Sequence, residues 1–339
     1  MRLRGLRLLA ALAVGALSLA GASCPVGPGI TGVVDRSEGA AEPVILTYLG
    51  VGGWIFARGG AQLLAAPLFS NPSLLRTGLA PIAADTAAID AGLAPYDLSG
   101  ARAILVGHGH YDHLMDVPRV AEHHAPAARI LGSSTVRNLL GSWSGMEDRV
   151  EVVDGWEATA ERPGRWIPLG KSLRVLPLRS EHAPHFEGVT LYEGTADVPR
   201  REAPGQADEW LDGPTYAYLV DFLDGDGSVA FRVYYQDAVA PAPAGFAPEA
   251  LMEERPVDVA ILVPATFDQV DWHPEAFVAN LRPRWVLLGH WESFFVPPSD
   301  PTRSVFATDM PHFEARLDRV LDGEFWRPEI GTTFRFPPS

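Results

Sequence analysis

Ten consecutive positions, GHGHYDHLMD from Gly107 to Asp116, hold three of the chain's ten histidines and two aspartates. His108 and His110 are two residues apart, so in extended backbone both side chains point to the same side. Asp112 and His113 follow at a turn into a helix. Two histidines so placed can hold one metal ion while Asp112 and His113 reach a second nearby. Nitrogen and oxygen donors of this kind suit zinc, and also iron or manganese. One loop cannot complete two metal sites, so more histidine and aspartate must arrive from elsewhere. His182 and His185 follow SLRVLPLRS, Asp237 ends SVAFRVYYQD, and His290 follows RPRWVLLG. Each comes after an apolar run, so all can project from one sheet edge, where α/β folds place their sites. Cys24 is the sole cysteine. A metal site here must therefore use His and carboxylate ligands, and zinc fingers, iron–sulfur clusters and thiol catalysis are excluded.

The elements that must position these residues are short. VILTYLGV and GWIFARGGAQLLAAP read as strands, the second segment turning at Gly59-Gly60. ARAILVGH, VDVAILVPA and RPRWVLLGHW are apolar runs of the kind that fill buried strands. SLRVLPLRS, TYAYLVDFL and SVAFRVYYQD are further strands, the last two joined through DGDGS. Helices are expected in DHLMDVPRVAEHHA, HPEAFVANL and PHFEARLDRVLDG, with Gly323 as a C-terminal cap of the last. Residues 70–100, 139–170 and 194–213 read as loops laid over the scaffold. The pattern is α/β, with late helices on the outside.

The N-terminus places Arg2, Arg4 and Arg7 before an apolar run from Leu8 to Ala20, then small residues and Cys24. This is the layout of a secretory signal peptide over residues 1–22. The run is short of the roughly 20 residues that span a bilayer. Cys24 also stands where a bacterial lipoprotein carries its lipidated cysteine, so the chain is expected to be exported to the periplasm or cell envelope, either cleaved and soluble or lipid-anchored at Cys24. Residues 23–43 are rich in Gly, Pro and small residues and read as a flexible tether. A single domain then covers 44–339. The net charge is −15, and without residues 1–22 there remain 24 basic against 42 acidic side chains. Such a surface repels phosphate backbones, so no nucleic-acid partner is expected. Lys171 is the sole lysine, which argues against highly charged substrates.

The ordered set HxHxDH, His, Asp and final His resembles the metallo-β-lactamase superfamily. The branch it is most similar to is that of the ascorbate-phosphate lactonases and N-acylphosphatidylethanolamine phospholipase D enzymes. YLGVGGWIF (48–56), AAPLFSNP (65–72) and HWESFF (290–295) carry that closer likeness, and the resemblance spans residues 44–296. It implies a four-layer αββα sandwich with two divalent metal ions, zinc before iron or manganese. Carried over residue by residue, His108, His110 and His182 would bind one ion. Asp112, His113 and His290 would bind the other, and Asp237 would bridge them. His182 fits the family's turn better than His185, which is left as the alternative ligand or as a group facing substrate. His123, His124, His273 and His312 read as structural. Two positions depart from the family: Ala66 stands where an aspartate normally supports the metal site, and Val51 stands where a histidine is usual. Outer partners of this sort are worth about 10- to 100-fold in metal affinity or activity. Asp116 is a candidate substitute.

The chemistry implied is hydrolysis. Two metals about 3.5 to 4 Å apart can share a hydroxide and stabilise attacking and leaving oxygens. Asp112 and Asp237 would be the catalytic carboxylates, the first able to take the water's proton and the second fixing the metal pair. The expected substrate is a small molecule or lipid cleaved at an ester-type bond, a phosphodiester before a lactone or amide. A metal-binding lipoprotein without turnover is the reading from a different class. Phe69, Trp291, Phe294 and Phe295 are read as core, with pocket lining as the alternative.

Overall fold

The computed structural model describes residues 29–338. The expected signal peptide and Cys24 lie outside the described residues. Two sheets face each other. The first has eight strands in the order β1-β15-β2-β3-β4-β5-β6-β7. These are β1 (Val33–Asp35), β2 (Val44–Gly50), β3 (Gly53–Arg58), β4 (Ala61–Ala65), β5 (Ala103–Leu105), β6 (Arg129–Gly132), β7 (Val150–Val152) and β15 (Thr333–Phe336). The second has seven, in the order β14-β13-β12-β11-β10-β9-β8. They are β8 (Ile167–Pro168), β9 (Leu173–Ser180), β10 (Thr215–Leu223), β11 (Val229–Tyr235), β12 (Val259–Leu262), β13 (Trp285–Leu288) and β14 (Glu324–Trp326).

Alternation explains the layers. Leu63, Leu105 and Leu131 point between the sheets, where they join Leu173, Val175, Val220 and Val233. Their neighbours Leu64, Ile104 and Ile130 point the other way. There they meet Ile89 and Leu93 of α2 (Thr86–Leu93) and Val117 and Val120 of α4 (Val117–His123). Both faces of these strands are buried, which is why the sequence shows continuous apolar runs rather than alternation. Two short helices follow, α5 (Ser134–Leu139) and α6 (Glu249–Glu254), and over the outer face of the second sheet α7 (Glu275–Leu281) contributes Phe277 and Leu281, and α8 (Met310–Val320) contributes Phe313 and Leu317. The result is an αββα sandwich, the architecture the sequence implied.

Direction matters more than order for the site. β9 and β11 both run antiparallel to β10, so they point the same way, and β12 and β13 are parallel to β11. Their C-terminal ends therefore share one edge. The first sheet is tied to that edge by Tyr216 N–H donating to Gly107 O at 2.8 Å. Tyr218 Oη lies 2.9 Å from Val106 O, which adds a second tie.

Several expectations need correction. Residues 33–35, assigned to the tether, form an edge strand parallel to β15. Residues 70–100, read as loop, hold α2 and α1 (Leu74–Leu79). Both helices begin on side-chain caps: Ser73 accepts from Arg76 N–H, and Asp85 from Ala87 and Ala88 N–H. The single helix expected from Asp112 is broken into α3 (Tyr111–Leu114) and α4. Gly323 does not cap α8; a Cβ there would land on Arg284 O. Its small size lets β14 approach the chain just before β13.

Candidate metal centre

All seven candidate residues converge at the shared edge. His108 and His110 lie in the loop leaving β5, and Asp112 and His113 lie in the short helix α3. His182 follows β9, Asp237 follows β11 and His290 follows β13. Donor atoms lie within 4.8 Å of one another in three sets: His108, His110 and His182; His108, His113 and Asp237; and Asp112, His113 and His290. His182, not His185, joins the first set.

Close backbone approach makes this convergence possible. A Cβ at Gly107 would overlap the Asp237 side chain, and one at Gly52 would sit 2.8 Å from His113 Nδ1 and 2.9 Å from Tyr235 Oη. Two non-glycine residues adopt left-handed backbone here, Val51 (φ 53°) and His290 (φ 50°). Strain of this kind persists only where surroundings over-determine it. His290 N–H donates to Val51 O at 2.9 Å, and Val51 N–H donates to Glu292 Oε1 at 2.5 Å.

The polar atoms suit cations. Asp237 Oδ2 lies 2.7 Å from His108 Nδ1, and Oδ1 lies 3.0 Å from His113 Nδ1, out of line for a hydrogen bond. Asp112 Oδ2 is 3.3 Å from His290 Nε2. His110 Nε2, His113 Nδ1 and His290 Nδ1 are buried without a hydrogen-bond partner. Burial, then the neighbouring histidines, pushes His110 and His182 well below the ordinary imidazole range, leaving neutral rings with lone pairs to offer. Burial opposes ionisation of Asp112 and Asp237, yet the histidines around them outweigh it and hold both well below the usual carboxylate range. His113 moves the other way: burial is outweighed by Asp237 and Asp112, which raise it to about 10. A proton on His113 thus plays the part of a cation between two buried carboxylates. Orphaned nitrogens, neutral imidazoles and two buried anions together fit divalent metal ions, the two carboxylates and the histidines being their donors.

Partners outside the donor set fix its orientation. Tyr235 Oη lies 2.5 Å from Asp237 Oδ1 and 2.8 Å from Gly52 O. His182 Nδ1–H donates to Ala183 O at 2.6 Å, turning Nε2 toward the cluster. Glu292 also accepts from the Tyr48 hydroxyl. The sequence reading missed Tyr235 and Glu292. Each lies two residues from a donor, Tyr235 before Asp237 and Glu292 after His290, and i, i+2 spacing was the available signal.

Asp116 does not take over the role of the aspartate absent at Ala66. It accepts from Phe69 N–H at 2.7 Å, Ser70 N–H at 3.0 Å and Ser70 Oγ–H at 2.5 Å, so it anchors the turn after Pro67. Burial raises it to about 6 against the pull of those donors. Ala66 itself is packed in the apolar cluster under α2 and α4.

Above the cluster lies a cavity. Phe294 and Phe295 line it with Leu74, Val263, Val305 and Phe306, whereas Phe69 and Trp291 are buried packing residues. Among the described residues, no lysine or arginine lines it. His185 does, stacked on His182 at 4.5 Å and 13°. Its Nδ1 accepts from Leu191 N–H at 3.1 Å, which leaves the proton on Nε2. The other histidines lie elsewhere. His124 pairs with Asp90, His273 is buried against Phe277 and Phe313, His312 meets Phe267, and His123 lies beside Glu122.

No protein-family model matches this chain. No curated protein matches it either. Solved structures do. Igni18, a novel metallo hydrolase from the hyperthermophilic archaeon Ignicoccus hospitalis KIN4/I, superposes with a TM-score of 0.50 over 88% of this chain and 100% of its own, at 15% identity. CmlA, a diiron β-hydroxylase from Streptomyces venezuelae, also gives 0.50, over 88% of this chain and 54% of its own, at 14% identity. YhfI from Bacillus subtilis, a metallo-β-lactamase fold protein, gives 0.46 over 87% and 99%, at 13% identity. At such identities the likeness is one of architecture: the chain shares the fold of Igni18, and its two sheets form the αββα sandwich that the resemblance implied.

Proposed function

We propose that this protein is a metal-dependent hydrolase that cleaves an ester-type bond, phosphodiester or carboxylic, in a substrate bearing an apolar chain. The observation that carries this reading is the cluster of five histidines and two aspartates beneath an apolar cavity. Ions held by His108, His110 and His182 on one side, by Asp112, His113 and His290 on the other, and by Asp237 between them would supply Lewis acidity and an acidified water. Asp112, one of the buried carboxylates of the cluster, would be the group that takes the water's proton. Tyr235 keeps Asp237 in place. His185 offers an Nε2–H from the cavity wall to an oxygen of the substrate. The apolar wall excludes bulk water, which strengthens every polar contact inside it. Among the described residues no lysine or arginine lines that wall, which favours substrates with little charge beyond the reacting centre.

Zinc is the proposed ion, with iron or manganese distinguished by elemental analysis. Residues 1–22 are proposed to direct export, with Cys24 as the acylated residue if the product is anchored. Mass spectrometry of the mature N-terminus tests this. For the central reading, metal per chain is measured with turnover of p-nitrophenyl acyl esters, bis-p-nitrophenyl phosphate and simple lactones. About two ions per chain and metal-dependent turnover of one class are expected. Less than half an ion after repletion, or full occupancy without turnover across the panel, would sink it.

A further inference from the structure

The His290 ring has no polar support outside the donor cluster. Its Nε2 faces Asp112 Oδ2 at 3.3 Å, and its Nδ1 is buried without a hydrogen-bond partner. Phe294 packs edge-on against it, ring centroids 5.2 Å apart, which supplies bulk but no polar direction. The aim of the ring is therefore set through its main chain. Among the seven donors His290 alone has a left-handed backbone, at φ 50°. A residue with a Cβ keeps such a conformation only where its neighbours impose it. Here the hold is on the amide: His290 N–H donates to Val51 O at 2.9 Å and to Tyr48 Oη at 3.1 Å.

Val51 is held in turn. It too is left-handed, at φ 53°, a rare state for a β-branched side chain. Its N–H donates to Glu292 Oε1 at 2.5 Å, and the Tyr48 hydroxyl donates to Glu292 Oε2. A Cβ at Gly50 would sit 3.2 Å from Glu292 Oε1, so this glycine leaves the room through which the carboxylate reaches the turn. Tyr48 lies in β2, and Glu292 lies two residues beyond His290. The pair thus ties the turn between β2 and β3, in the first sheet, to the end of β13 in the second. Both side chains are buried, Tyr48 fully and Glu292 with 3% exposed. A carboxylate placed there loses its hydration and keeps only the Val51 N–H and the Tyr48 hydroxyl. Apolar side chains of the same shape would fill that space at no greater cost, so packing does not explain the pair.

We propose that Tyr48 and Glu292 are positioning residues for one side of the centre only: they aim His290 and so set the hold on the ion shared with Asp112 and His113. This rests on two ions being held, not on which bond is cleaved. The other side has its own support, since His182 follows β9 and is oriented by Ala183 O. The test is stepwise binding of zinc to the metal-free full chain in metal-buffered solution, read by elemental analysis. His290→Ala marks which step belongs to the His290 side. In Glu292→Ala the marked step is expected to weaken about 10- to 100-fold while the other step stays unchanged. Glu292→Gln, which keeps an acceptor for Val51 N–H, is expected to recover most of the loss. Tyr48→Phe, which keeps the ring and removes the hydroxyl, is expected to weaken the same step about 10-fold. Equal weakening of both steps, with a matching fall in urea midpoint, would mean a merely structural role and overturns the proposal. So does an unchanged marked step in either variant, and if Glu292→Ala does not fold, Tyr48→Phe decides alone. A wild type that takes up fewer than two ions overturns it together with the two-ion reading. Two ions, a weakened marked step and no turnover of any ester would instead sink the hydrolase reading and leave the positioning role standing.

Discussion

The floor of the cavity and its mouth differ in how their side chains are held. On the floor, buried donors are oriented by a second layer: Tyr235 on Asp237, Ala183 O on His182, and Glu292 on the backbone at Val51. At the mouth, Phe186, and Leu75 and Leu79 of α1, stand in solvent. The floor is built from the loops that follow strand ends and from the short helix α3. The mouth is built from α1, the loop after β9 and the segment before α7. A site that must hold charges at fixed spacing needs the first kind of construction.

The comparison breaks most visibly at Asp237. Asp237→Ala removes the carboxylate common to both sides of the floor. We expect loss of bound metal from both sides and more than about a 100-fold fall in hydrolysis, beyond what an outer partner is worth. Elemental mass spectrometry and turnover of a p-nitrophenyl ester check this, and retention of two ions in the variant would show that Asp237 does not bridge.

Asp116 links the two regions, since it sits beside α3 and holds the turn that leads to α1. Its folded-state value, about 6, lies above its ordinary 3.8. An acid raised on folding penalises the folded state once it is ionised in both states. The penalty is full above pH 6 and fades as pH falls toward 4. Wild type should therefore gain up to about 3 kcal/mol relative to Asp116→Asn between pH 7 and pH 4. Urea unfolding of both proteins at the two pH values measures it, and parallel pH curves would refute it.

Tyr235→Phe tests the second layer of the floor without touching a donor. It should weaken metal affinity or activity about 10- to 100-fold, read by competition with a chelator, while the urea midpoint shifts little. His185→Phe tests the wall between floor and mouth. It should leave metal content intact and lower turnover about 10-fold, less than loss of a full oxyanion donor. His185→Gln, which keeps an N–H, should restore part of it. Loss of metal in His185→Phe would instead make His185 a ligand.

How much was legible beforehand follows from sequence distance. His108, His110, Asp112 and His113 lie within six residues, so one loop reveals them. His182, Asp237 and His290 were legible because each closes an apolar run, and a strand end is a predictable place for a ligand. Asp116, offered as a substitute for the aspartate missing at Ala66, instead holds Phe69 and Ser70, because which backbone N–H groups a carboxylate reaches depends on how that turn packs. α1 and α2 were missed because they are short and carry no strong apolar period; their Ser73 and Asp85 caps were the remaining signal.

Composition and order thus determined a fold of buried strands with helices outside, a metal set limited to His and carboxylate, and the loops that carry it. Only the tertiary structure decided that Tyr235 and Glu292 steady the floor. It alone gathered Leu74, Phe186 and Phe306, far apart in sequence, around one cavity. The reason is physical: strand periodicity is written locally, residue by residue, whereas the partner of a side chain is set by which strand ends and loops the two sheets bring to the same edge.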